Sequence, residues 1–180
     1  KDNMTLLDAN KELCNLVYKH ILHKNKPILD IGCGYGEQDI FLHLKYDSKI
    51  TALELSQKQI DYATNKKDEL NITKDKLSFL QGDATALPFQ ENSFNNIICI
   101  ESAFHYKPRD KFIKECVRVM KPNSRLIIAD IAMNQTNTYY NTIIKHFVKH
   151  LLHIPDDNFI TNSQYVKLLE ANQLNVNTID

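Results

Sequence analysis

At 180 residues, 43% of them hydrophobic, the chain can bury one sizeable core and is too short for two ordinary domains. Twenty-two basic residues balance 22 acidic ones, so no strong net field favours nucleic acid or an anionic membrane as a partner. Four scattered cysteines (Cys14, Cys33, Cys99, Cys116) form no CxxC pair, and no apolar run approaches the roughly 20 residues of a membrane span; the reading is a reduced, zinc-free, cytoplasmic chain without a stable membrane insertion.

In chain order, DANKELCNLVYKHIL predicts a helix with Asp8 as N-cap and Leu13, Leu16, Val17, Ile21 and Leu22 on one face. PILDIG reads as a first strand, GEQDIFLHLKY as a helix, KITALEL as a second strand, and SQKQIDYATNKKDEL as a helix capped by Ser56. KLSFLQGD and FNNIICIES follow as strands, then the helix PRDKFIKECVRVMK and the strand SRLIIADI. Farther on, NTYYNTIIKHFVKHLLHIP reads as an amphipathic helix with Tyr139, Tyr140, Ile143, Ile144, Phe147, Val148 and Leu151 toward one side. Short apolar strands alternating with helices predict an α/β, doubly wound fold: a mostly parallel sheet with helices on both faces.

In such sheets ligands sit beyond the carboxyl ends of the strands. The first strand runs into ILDIGCGYGE, where three of the chain's four glycines fall within five positions. Asp30, Gly32, Gly34 and Gly36 spell D-x-G-x-G-x-G, and Glu37 stands where a dinucleotide fingerprint wants its last glycine. A phosphate loop is also excluded, because its Lys and hydroxyl residue are absent. Glycines here permit positive φ and let a ligand lie against the main chain, or else they make only a tight strand-to-helix turn. Glu54 closes the second strand about 22 residues after Gly32, where an acid can accept from ribose hydroxyls or be a solvated strand end. Asp83 could accept from an adenine amine and the Ala84 N–H could donate to the ring, or Asp83 is a simple turn residue.

Together ILDIGCGYG, ALELS, GDATALPF, IICIESAFHY and FIKECVRVMKPNSRLIIAD, in this order and spacing, resemble the class I S-adenosylmethionine-dependent methyltransferases, particularly the small-molecule type that includes quinone C-methyltransferases and sugar O-methyltransferases. The resemblance runs from about Asp8 to the end of the chain. It implies a Rossmann-like sheet in a single domain over residues 1–180, with a helical insertion at about 134–163 capping the acceptor site. It implies S-adenosyl-L-methionine as cofactor and a small organic methyl acceptor, methylated at O, N or C. The glycine loop then faces the methionine and ribose parts, Glu54 holds the ribose diol, and Asp83 with Ala84 reads adenine. Asp30 supports the loop or the ammonium group, and Glu101 lies beside the cofactor.

The family's usual Lys-Pro-Gly-Gly before its fifth strand is replaced by KPNS, and Asn123 is expected to take the left-handed turn conformation. The terminal QLNVNTID is expected as a sixth strand only, without the hairpin strand the family adds, which suggests part of a longer protein. For the chemistry, His105 and Tyr106 follow the fourth strand and Asp130 closes the fifth. A sugar O-methyltransferase of this type carries a His and an Asp at this separation in a base role, so the resemblance implies His105 as general base with Asp130 as its orienting partner; alternatively His105 walls the pocket and Asp130 bonds local backbone. A metal site on His146, His150 and His153 is not expected, since no carboxylate or cysteine joins them. A non-catalytic subunit of the same fold and a nicotinamide oxidoreductase remain the rival readings.

Overall fold

The computed structural model describes residues 5–131, 151, 154–155, 158 and 160–178. Five strands form one sheet in the order β3-β2-β1-β4-β5: β1 (Ile28–Ile31), β2 (Ile50–Glu54), β3 (Leu77–Gln81), β4 (Phe94–Ile100) and β5 (Met120–Ala129). Every neighbouring pair is parallel. The chain order reverses between β1 and β4, which makes the ends of those two strands the switch point at which a crevice opens.

Strand interiors are apolar at successive positions because both faces of the sheet are covered. Helices α1 (Leu6–Lys19), α2 (Glu37–Tyr46) and α3 (Gln57–Glu69) cover one face, packing Cys14, Val17, Leu42 and Ile60 against Ile28, Ile50, Ala52 and Ile98. On the other, α4 (Arg109–Val119) and α5 (Asn162–Ala171) pack Phe112, Ile113, Cys116 and Tyr165 against Leu29, Ile31, Leu53 and Ile97. The expected α/β, doubly wound arrangement is the one observed.

Local details depart from expectation. Helix α1 starts earlier, at a capping box in which Thr5 is the N-cap and Asp8 is the third helical residue: Asp8 N–H donates to Thr5 Oγ1 (3.2 Å) and Thr5 N–H to Asp8 Oδ2 (3.1 Å). Its buried residues are Cys14 and Val17, continued past the helix end by Ile21, while Leu16 and Leu22 are exposed at 43% and 48%. Ser56 occupies the N-cap of α3 without a side-chain cap bond. Asn123 does take the left-handed conformation, at φ 58°, within a segment that loops out between the Phe94–Met120 and Asn96–Arg125 pairings. No strand forms over residues 174–178; Leu174 packs on the α4 face instead, since alternation produces a strand only where an edge receives it.

Leu151 is exposed, whereas the other apolar positions named for the amphipathic helix, together with His146, His150 and His153, lie outside the described residues. Among the described residues no helix is long and apolar enough to cross a membrane, and no group of three or more His, Cys, Asp or Glu could hold a metal ion.

One polar side chain anchors the link between α1 and β1. Asn96, fully buried in β4, accepts from the His23 N–H (3.1 Å) and donates to the His23 carbonyl (2.8 Å). Asn96→Ala leaves a buried donor and acceptor unanswered and is expected to cost about 1–3 kcal/mol, read from urea denaturation.

Candidate active site

The strand ends gather the predicted residues on one side of the sheet, and the glycine loop is the centre of that side. Gly32, Gly34 and Gly36 all have positive φ (84°, 55° and 74°), yet their surroundings differ. A Cβ on Gly32 would collide with Ser102 and Tyr106, and one on Gly36 with Phe79 and Ala63. Of the three, only Gly34 has room for a Cβ, which would meet Gln59 Nε2 at 3.9 Å, an ordinary contact. Two of the glycines are therefore required by packing, and Gly34 is the one whose face the packing leaves free.

Glu54 borders this face. Its Oε2 accepts from the Gly34 N–H (3.3 Å) and its Oε1 from the Ser56 N–H (3.0 Å), so the carboxylate joins the loop to the start of α3 with lone pairs to spare. After β3, Asp83 uses Oδ1 to hold the Thr85 N–H (2.7 Å) and hydroxyl (2.9 Å), leaving its exposed carboxylate beside the buried Ala84. That loop is tied to α4 by features the sequence did not point out: Glu115 accepts from the Leu87 N–H (2.7 Å), while Arg118 donates to the carbonyls of Phe89 (2.7 Å) and Leu87 (3.0 Å).

Asp30 does not face the open side. It lies beneath the loop, 1% exposed and next to the fully buried Asp39 of α2, and burial pushes its carboxyl up to about 7. Glu101, exposed at the end of β4, has φ 51° and donates its N–H to the Ala129 carbonyl (2.8 Å). Beyond it, a single 3₁₀ turn (Ala103–His105) presents the exposed His105, its ring packed on Phe104 at 4.2 Å. Asn158, buried and missed by sequence reasoning, braces this turn by donating to the carbonyls of Phe104 (3.1 Å) and Tyr106 (2.5 Å).

Asp130 sits deeper. One oxygen accepts from the Ile131 N–H (2.9 Å) and the other lies 3.5 Å from Arg109 Nη2, with both side chains almost wholly buried. Burial pushes the Asp130 carboxyl up and the Arg109 guanidinium opposes it; the backbone N–H of Phe104 lies close enough to favour the ionised form. Tyr165 covers the pair, its ring 4.6 Å from the guanidinium carbon. Arg109 is a second residue that sequence reasoning missed, since an arginine opening an amphipathic helix looks like a solvated one.

Two stability predictions follow from these contacts. Gly36→Ala is expected to lose about 2–4 kcal/mol, combining overpacking with left-handed strain, against about 1–2 kcal/mol for Gly34→Ala, which meets strain alone; urea denaturation of both measures the difference. Asp130→Asn strands a buried guanidinium and is expected to cost about 3–5 kcal/mol, with most of the loss recovered in the double variant Arg109→Met/Asp130→Asn.

A family profile described as a methyltransferase domain matches residues 29–128. Erythromycin 3''-O-methyltransferase of Saccharopolyspora erythraea is 35% identical over 128 residues, covering 70% of this chain and 42% of that protein. The 27-O-demethylrifamycin SV methyltransferase of Amycolatopsis mediterranei is 32% identical over 133 residues, covering 73% and 48%. The chain thus spans about half the length of these curated relatives. Among solved structures, the geranyl diphosphate C-methyltransferase of Streptomyces coelicolor superposes with a TM-score of 0.79 at 17% identity, covering 93% of this chain and 62% of that one. The [4+2]-cyclase SpnF superposes at 0.75 with 22% identity, covering 90% and 57%, so the likeness to solved structures concerns the fold and leaves the reaction open. On the match through the glycine loop and all five strands, the chain belongs to the class I S-adenosylmethionine-dependent methyltransferases, of the kind that includes small-molecule O-methyltransferases.

Proposed function

We propose that this chain binds S-adenosylmethionine along the open face of Gly34 and forms the catalytic core of an enzyme that methylates a hydroxyl oxygen of a small natural-product acceptor. The observation that carries the reading is the open Gly34 surface with the Glu54 carboxylate fastened beside it. The residues fit the cofactor: a surface without a Cβ accommodates a ligand that has no phosphates to grip, and an acid already oriented by two N–H groups can accept from a diol. Asp83 and the Ala84 N–H then supply an acceptor and a donor for adenine, and Glu101 borders the methionine end. The hydroxyl acceptor is inferred from relatives named as O-methyltransferases acting on erythromycin- and rifamycin-type compounds.

When bound, the cofactor supplies an electrophilic methyl group on a sulfonium. His105 is assigned to take the hydroxyl proton of the acceptor, because its ring is exposed on a turn braced from below. Asp130 enters as a positioning residue: held by Arg109 and close to the Phe104 N–H, it keeps the end of β5 beside that turn. Most of the rate would come from holding the acceptor oxygen in line with the methyl group, with the base adding to it.

Glu54→Ala is expected to weaken S-adenosylmethionine binding by about 1.5–3 kcal/mol in calorimetry, and an unchanged dissociation constant would remove Glu54 from the site. With labelled cofactor and a panel of hydroxylated macrolactones and sugars, transfer to one member is expected. On that acceptor His105→Ala should bind cofactor normally while turnover falls by about 10² to 10⁴. Turnover within roughly tenfold of the parent would reassign His105 to the pocket wall.

A further inference from the structure

We propose that Asn158 is a positioning residue for the methyl transfer: with the two hydrogens of one amide nitrogen it fixes the main chain around His105, and so sets the ring that takes the acceptor's proton. This rests on the reading of His105 as general base. Asn158 Nδ2 donates to the Phe104 carbonyl (3.1 Å) and to the Tyr106 carbonyl (2.5 Å), which belong to the residues on either side of His105. Two acceptors facing the amide can be answered only by its NH₂ end, so the network fixes which way the side chain points.

The turn needs this support. Its own bonds run from the His105 N–H to the Ser102 carbonyl (3.0 Å) and from the Tyr106 N–H to the Ala103 carbonyl (3.3 Å), the second of them long. The later carbonyls enter no ladder, because the chain is already extended at Tyr106 and α4 begins only at Arg109. The bond from Asn158 to Phe104 is buried, where an unanswered carbonyl is costly. On the other side the Tyr106 hydroxyl bonds Ser102 Oγ (2.8 Å), which donates to the Ile31 carbonyl at the end of β1 (2.9 Å). The turn is thus suspended between β1 and the segment that follows β5, with His105 as its exposed residue.

Asn158 is itself held in place. It is 3% exposed, its N–H donates to the Pro155 carbonyl (2.9 Å), and the neighbouring Ile154 is buried. The proline ring restricts φ at the start of this short turn. An amide with both hydrogens committed cannot rotate without breaking two bonds, so the fork transmits the placement of its own segment to the main chain around His105.

A general base acts only within hydrogen-bond reach of the proton it removes, and misplacing a reacting group by about 1 Å can cost about 10²-fold in rate. Cofactor affinity does not depend on this fork, since Gly34 and Glu54 are held by β1 and β2. The expected signature is a fall in kcat with cofactor binding unchanged.

Asn158→Leu keeps the size of the side chain and removes both hydrogens, while Asn158→Asp, kept neutral by burial beside two carbonyl oxygens, retains one O–H. On the chain without cofactor, hydrogen exchange at the His105 and Tyr106 amides should speed up at least about tenfold in Asn158→Leu, and less in Asn158→Asp, with the strand amides of Ile97 and Ile98 still protected. Unchanged exchange at the turn overturns the inference. On the acceptor found with the hydroxylated panel, Asn158→Leu should lower turnover by about 10- to 100-fold at an unchanged cofactor dissociation constant. The same substitution in His105→Ala should cost no more than about a further twofold, since no base is left to position. An equal loss in both backgrounds overturns the inference and leaves the base reading intact. Turnover of His105→Ala within roughly tenfold of the parent overturns the base reading and the positioning role with it. Where loss of strand protection shows that Asn158→Leu does not fold, Asn158→Asp carries the same comparison, with a smaller loss expected.

Discussion

The backbone N–H groups of Gly32 and Cys33 both donate to the carbonyl of Leu53, at 2.7 and 3.2 Å, and this shared acceptor hooks the glycine loop across the end of β2. A parallel strand has no hairpin partner to receive the donors of the loop that follows it, so they must find an acceptor on a neighbouring strand. With the loop hooked there, the Gly34 N–H meets Glu54, the next residue of β2, and the bare Cα of Gly32 comes beneath Ser102 and Tyr106 from the far side of the switch point. Ser102 closes the arrangement by donating to the Ile31 carbonyl (2.9 Å) and bonding the Tyr106 hydroxyl (2.8 Å). Three adjacent strand ends are thus fixed relative to one carbonyl, and the open face of Gly34 is what their packing leaves uncovered.

Charge is distributed unevenly over this end of the sheet. Asp130 has a buried guanidinium to answer it, while Asp30 and Asp39 lie buried under the loop with no cationic side chain bonded to them. The same residue type therefore stands in two settings on strands two apart in the sheet: one acid locks β5 against α4, and the other two are enclosed beneath the loop, where burial raises both carboxyls. A buried pair of opposite charges contributes mainly by fixing geometry, because its Coulomb attraction is offset by lost hydration.

The elements were legible wherever one strand or one helix decides the pattern. Apolar runs marked all five strands because the sheet is covered on both faces, and the positive φ of Asn123 followed from what that side chain tolerates. Residues whose role depends on a distant partner were not legible. Nothing in the spacing of Asp39 shows that it meets Asp30, nor in that of Arg109 that it is buried against Asp130, since both meetings are made by helices folding back on strands. The glycines show the boundary most clearly: their number announced a site, but which of them faces a ligand depends on Phe79, Ala63, Ser102 and Tyr106, which arrive from β3, α3 and the segment after β4. The Asp8 cap and the sixth strand failed for opposite reasons, the first because Thr5 forms a better box and the second because alternation carries no information about an available edge.

The other half of the crevice is built above β4 and β5. There the chain holds a non-glycine residue in a left-handed conformation: Glu101, at φ 51°, where strain of about 1–2 kcal/mol is expected and glycine would carry none. Its N–H is bound to Ala129, so the turn is imposed by the pairing of β4 with β5 and the side chain is left exposed. This strained residue stands four positions before His105 and is fixed by the same strand pair that ends at Asp130. Glu101 and Asp130 therefore depend on the β4–β5 register, whereas Gly34 and Glu54 depend on β1 and β2. Substitutions that disturb one of these strand pairs can accordingly leave the groups fixed by the other in place.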